Sequence, residues 1–215
     1  MKTLLLTGAL ALALGTECFQ VGAVVSEIKT TEKTENSRPK QHNQQQSLVD
    51  MIYQNLSKLQ TISNEEAGPD YHDPNRAGNP LYIINNQDPT LKIAPNFALR
   101  EFATTNGKIQ PYARIDPDLV IALQRIRDAV QKPVRVTSCY RSLTRQRELI
   151  DQGLTKEERS RHTSGDAADI EVAGYSPQAL GNLVENILGE KIGLGIYKTH
   201  VHFDLRGKKE RWIRH

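Results

Sequence analysis

The chain has 215 residues, with 28 Lys and Arg against 25 Asp and Glu, a formal net charge of +3 and two cysteines. That length accommodates one ordinary domain with extensions. Charges of both signs are spread along the chain without a Lys/Arg run, which argues against nucleic acid as a partner.

The N-terminus carries the first strong signal. Met1-Lys2 precedes an apolar run from Leu4 to Leu14, and small residues follow at Val21-Gly22-Ala23. This is the layout of a secretory signal, with an apolar core too short for a stable membrane span. Residues 1–23 are therefore expected to be a signal peptide, cleaved after Ala23, and the mature chain to be exported without stable membrane insertion. Cys18 follows Gly15-Thr16-Glu17, an acidic context that argues against lipidation. After cleavage only Cys139 remains, so no disulfide forms within the mature chain.

Residues 24–90 read as a tether and extension. Up to about residue 45 the composition is polar and without period, as in a disordered segment. Leu48, Met51, Ile52, Leu56 and Leu59 fall at helical spacing over 47–59, with Ser47 as candidate N-cap. Residues 67–79 are loop-like, and Leu81–Ile84 is a short strand candidate.

Globular patterning fills residues 91–215. Ala98–Phe102 suggests a helical turn, and Asp116 or Pro117 opens a helix through Leu119, Val120, Leu123, Ile126 and Val130. Val134–Ser138 alternates as a strand, Leu143–Leu154 is helical, and Ala168–Val172 alternates again. Ser176-Pro177 opens another helix that closes near Gly189. Residues 192–197 and 201–205 read as two strands joined by a tight turn. This order predicts an α+β fold, an antiparallel sheet with helices packed on one face.

Two clusters carry chemistry. The first is Ser160-Arg161-His162-Thr163-Ser164-Gly165-Asp166-Ala167-Ala168-Asp169, and the second is His200-Val201-His202-Phe203-Asp204. On a strand, His200, His202 and Asp204 share one face while Val201, Phe203 and Leu205 take the other. Gly165 permits a turn that brings His162 back toward Asp169. His162, Asp169 and His202 then supply two imidazoles and a carboxylate to one Zn²⁺, with a fourth position left for water. His200 is placed to move a proton beside that metal. Arg141, just after the strand ending at Ser138, is suited to pair with a substrate carboxylate or an oxyanion, with Ser138 or Tyr140 adding a hydrogen bond. Asp204 is expected to support a neighbouring histidine. His42, His72 and His215 lack such company and are expected at the surface.

The ordered set Thr137-Ser138-Cys139-Tyr140-Arg141-Ser142, the first cluster, Gly193-Leu194-Gly195-Ile196-Tyr197 and His202-Phe203-Asp204-Leu205-Arg206-Gly207 up to Trp212 resembles the D-alanyl-D-alanine carboxypeptidase-like zinc metallopeptidases, most closely their murein endopeptidase branch. The resemblance covers about Pro95 to Trp212. It implies the fold shared with the hedgehog signalling domain, one Zn²⁺ per chain held by His162, Asp169 and His202, Arg141 as the substrate-orienting arginine, and peptidoglycan stem peptides as substrate. With the signal segment this leads to the expectation of an exported chain, in the periplasm or in the cell wall or extracellular, that acts as a monomer and hydrolyses bonds involving D-centres. There are two departures. Cys139 stands where glycine is common, and Thr199 stands where many members carry a glutamate base, so the proton-transfer role passes to His200. The alternative is a non-catalytic wall- or metal-binding module that keeps the zinc site.

Overall fold

The computed structural model describes residues 38–71, 79–88 and 90–214. The expected signal segment and its cleavage point, Cys18, His72 and His215 lie outside these residues, as does the side chain of His42. In chain order the elements are helix α1 (Arg38–Ser57), strand β1 (Thr61–Ile62), helix α2 (Asn64–Ala67), a 3-10 turn (Pro69–Tyr71), β2 (Leu81–Ile83), β3 (Lys92–Ala94), β4 (Phe97–Ala98), α3 (Leu99–Phe102), β5 (Thr104–Thr105), β6 (Lys108–Ile109), β7 (Tyr112–Arg114), α4 (Pro117–Val130), β8 (Val134–Ser138), α5 (Leu143–Asp151), a 3-10 turn (Arg161–Ser164), β9 (Ala167–Val172), α6 (Pro177–Leu188), β10 (Gly193–Ile196), β11 (Val201–Asp204) and β12 (Glu210–Ile213).

Local chemistry sets the helix starts. Asp116 accepts from the Asp118 amide at 2.9 Å. Ser142 accepts from the Arg145 amide and Ser176 from the Ala179 amide, each at 3.2 Å. Pro117 and Pro177 occupy first-turn positions, where a missing N–H costs nothing. These caps satisfy amides that have no partner within the helix.

The main sheet has seven strands in the order β12-β10-β11-β9-β8-β5-β6. Every pair in it is antiparallel except β10 with β12, which run parallel. Its apolar face presents Val134, Ala168, Ile170, Val201, Phe203 and Leu194 to the core that α4 and α6 complete. Gly181 of α6 sits against the Ile196 side chain, so the helix lies close on the sheet. The opposite face carries Ser138, Asp169, His202 and Asp204.

Two upstream features differ from expectation. Helix α1 starts at Arg38, within the stretch that composition reads as tether, so Ser47 lies inside the helix and is not its cap. The Gln44-Gln45-Gln46 run contains no breaker and glutamine is a good helix former. Gln46 also donates to Asp50 one turn on, at 2.9 Å. Furthermore, Ile52, Leu56, Leu59, Tyr71, Leu81, Tyr82 and Ile84 belong to the same apolar core as the main sheet. Gln45 to His215 is one unit, with no structural break near residue 91. Arg114 ties these parts together, donating to the Asn79 carbonyl at 2.7 Å, to the Tyr71 carbonyl at 2.8 Å and to Asn64 Oδ1.

Candidate metal centre

Three side chains from two neighbouring strands and one turn converge. Asp169 on β9 and His202 on β11 are direct partners across the ladder. His162 arrives from the 3-10 turn just before β9, which closes at Gly165 with φ +78°. A side chain at position 165 would run into the backbone carbonyl of Arg114, so both the backbone angle and the close approach require glycine there. His162 Nε2 lies 3.1 Å from His202 Nδ1 and 3.3 Å from Asp169 Oδ1, and His202 Nδ1 lies 2.8 Å from Asp169 Oδ1. All three residues are buried.

Hydrogen bonding on the outer side fixes which ring nitrogens face inward. His162 Nδ1 lies 2.6 Å from the Cys139 carbonyl, which can only accept, so Nδ1 carries the proton. His202 Nε2 lies 3.1 Å from Asp204 Oδ2, a carboxylate that again can only accept. With His202 neutral, the inward atoms are two bare imidazole nitrogens and a carboxylate oxygen, acceptors that repel one another unless a proton or a metal cation lies among them. Ligands about 2.0 Å from a tetrahedral ion stand roughly 3.3 Å apart, close to the spacings seen. The set, two nitrogens and one hard oxygen, fits Zn²⁺ with a position to spare.

The electrostatics agree. Burial, aided by the Arg141 cation, pushes His162 down to about 4, so it stays neutral and able to ligate. Burial alone would raise Asp169, yet interactions with His162 and His202 hold it well below the usual carboxylate range. Burial opposes protonation of His202, but its hydrogen bonds to Asp169 and Asp204 outweigh that and raise it. The centre attracts positive charge.

The segment after β8 wraps this cluster. The Arg141 amide donates to the His162 carbonyl at 3.1 Å. Its guanidinium donates to Asp169 Oδ2 at 2.9 Å, to Ser138 Oγ at 3.1 and 3.0 Å, and to Gln146 Oε1 at 3.3 Å. Arg141 thus grips the outer oxygen of Asp169, a task that spacing did not suggest. Ser138 is buried and serves to orient Arg141. Tyr140, expected to contact substrate, is only 1% exposed and stacks on Tyr71 with centroids 6.4 Å apart. It faces the core because the chain leaves β8 with Tyr140 turned inward and Arg141 turned to the cluster.

His200 also differs from the simple alternation reading. It precedes β11, is partly exposed, and stacks on Tyr197 at 4.5 Å, with Nδ1 3.1 Å from Thr199 Oγ1. It lines a cleft of about 450 Å³ together with Arg135, Glu171, Tyr175 and Thr199. None of the three converging residues lines that cleft, so donor chemistry rather than concavity marks the centre. Sequence reasoning gave no role to Gln146, nor to Arg206 and Trp212, which it named only within the motif of the resemblance. Arg206, two residues beyond Asp204, was within reach as a charge partner for a buried carboxylate.

The chain matches the peptidase M15 family model over residues 95–204. It belongs to the peptidase M15 family, and is therefore a metallopeptidase by descent. Among solved structures it is similar to the Serratia marcescens L-Ala D-Glu endopeptidase ChiX, at 26% identity and a TM-score of 0.36, over 42% of this chain and 80% of that one. No curated protein matches it.

Proposed function

We propose that the chain is an exported zinc peptidase that hydrolyses D-centre-containing bonds of peptidoglycan stem peptides or their cross-links. The observation that carries the zinc assignment is the convergence of His162 Nε2, Asp169 Oδ1 and His202 Nδ1 as three inward acceptors, within a family of metallopeptidases. His162, Asp169 and His202 would hold the ion, and when bound there zinc supplies Lewis acidity toward a carbonyl and toward water.

The remaining roles belong to the chain. Cys139 and Asp204 hold the two imidazoles in the ligating tautomer. Arg141 fixes Asp169 through Nη2 and offers a substrate carboxylate or oxyanion the one N–H, on Nη1, that Ser138, Asp169 and Gln146 leave unused. His200, partly exposed two residues before His202, takes a proton from water and returns it to the leaving amine. The apolar run of residues 4–14 supports export, and no helix among the described residues is long and apolar enough to cross a membrane.

The test is digestion of purified cross-linked muropeptides by the zinc-loaded protein, read by mass spectrometry. New fragments that disappear in His162→Ala support the reading, and the fragment masses identify the bond. Intact muropeptides, with the variant indistinguishable, would overturn it in favour of a binding module.

A further inference from the structure

Asp204 is fully buried beside His202, and a buried carboxylate needs partners for both oxygens. Arg206 supplies them. Its Nε donates to Asp204 Oδ1 and its Nη2 to Oδ2, both at 2.6 Å, and its amide adds a bond to Oδ1 at 3.2 Å. Arg206 is itself held from the far side. Nη1 pairs with Glu210 on β12, and the guanidinium lies 5.3 Å from the centre of the Trp212 ring. The Trp212 ring in turn stands 5.3 Å from the His202 imidazole.

The neighbouring strand is cut away to admit this assembly. A side chain on Gly193 would collide with Asp204 Oδ2 and Arg206 Nε, and one on Gly195 would collide with the Trp212 indole. Two glycines on β10 therefore make room for one arginine and one tryptophan packed behind a single histidine.

We propose that Arg206 is a positioning residue of the metal centre, setting zinc affinity by locking Asp204 so that His202 keeps its proton on Nε2 and its lone pair on Nδ1 toward the ion. The inference rests on the zinc reading above. A planar fork bonded to both carboxylate oxygens removes the rotation that would otherwise swing Oδ2 away from the ring. It also offsets the Asp204 charge, so the centre does not accumulate two unbalanced carboxylates.

Zinc affinity, measured by competition with a chromogenic chelator on the full chain, tests this, with the thermal midpoint of the metal-free protein as the control for folding. Arg206→Gln is expected to weaken zinc binding roughly 10-fold or more, the scale of losing an outer partner. Arg206→Lys keeps the charge but loses the fork, and should also bind zinc more weakly than the unaltered protein; it decides the matter if Arg206→Gln does not fold. Because Arg206 acts through Asp204, the Asp204→Asn/Arg206→Gln double variant should bind no more weakly than Asp204→Asn alone. Unchanged affinity in the folded Arg206 variants, or a double variant showing the sum of both losses, would overturn the proposal. Lack of zinc binding by the unaltered protein is a separate outcome that removes the zinc reading itself and this inference with it.

Discussion

Asp169 and His202 are paired residues on adjacent antiparallel strands, and their facing atoms, Oδ1 and Nδ1, are 2.8 Å apart. Main-chain pairing thus presents two of the three ligand-type side chains side by side before any ion arrives. Replacing Asp169 with Asn keeps the shape but removes the charge. Zinc affinity of Asp169→Asn should fall by more than the roughly 10–100-fold that loss of an outer partner costs, measured by chelator competition. Affinity equal to that of the unaltered protein would exclude Asp169 as a ligand.

Arg141 and Asp169 form an ion pair with side chains about one-tenth exposed, 11% and 10%. Removing Arg141 leaves the buried Oδ2 of Asp169 without that donor, while Oδ1 keeps its histidine neighbours. Arg141→Ala is expected to lower the unfolding free energy of the metal-free protein by about 3 kcal/mol, read by urea denaturation. Arg141→Lys should lose less, since a cation remains. Equal stability of all three proteins would show that the pair contributes nothing to the fold.

His200 stands outside the His162–Asp169–His202 cluster, stacked on Tyr197. His200→Ala should therefore bind zinc with unchanged stoichiometry while kcat on muropeptides drops roughly 10²–10⁴-fold. Metal content by atomic emission and kcat from a time course separate the two effects. Undiminished kcat would assign proton transfer to another group.

Cys139 is buried, and burial pushes its thiol from 9.0 up to about 12. The folded chain thus keeps this proton over a window in which the unfolded chain loses it. Stability linked to Cys139 is intact below pH 9 and declines as pH rises from 9 toward 12. Denaturation midpoints of the unaltered protein and of Cys139→Ala should converge across that window, since the alanine variant lacks this term. Parallel curves would contradict the burial effect.

Much of this was legible in the chain. Asp116-Pro117 and Ser176-Pro177 announced their helices because capping and first-turn chemistry are local. Asp169 and His202 were legible because strand alternation around Ile170 and Phe203 fixes which side chains turn away from the core. The α+β class followed from the same alternation. Strand β12 was not legible: Glu210 and Arg211 interrupt any apolar period, and the strand is held by parallel backbone pairing to β10 and by Arg211 on Glu185 at 2.7 Å. The Arg141–Asp169 grip and the inward turn of Tyr140 depend on how the chain exits β8, which no spacing rule encodes. Helix α1 ran further upstream than its apolar residues because unbroken polar sequence can still be helical.

Pairing by register makes the centre far more sensitive to chain length than to many substitutions. One residue added to or removed from β9 ahead of Asp169 reverses the alternation and turns the carboxylate toward the core, although His162, Asp169 and His202 are themselves unchanged. The loop across residues 155–160 belongs to no strand, so a residue inserted there leaves the register of β9 intact. Insertions and deletions should therefore sort sharply along this chain, tolerated between α5 and the 3-10 turn and excluded from the rungs that hold Asp169 against His202.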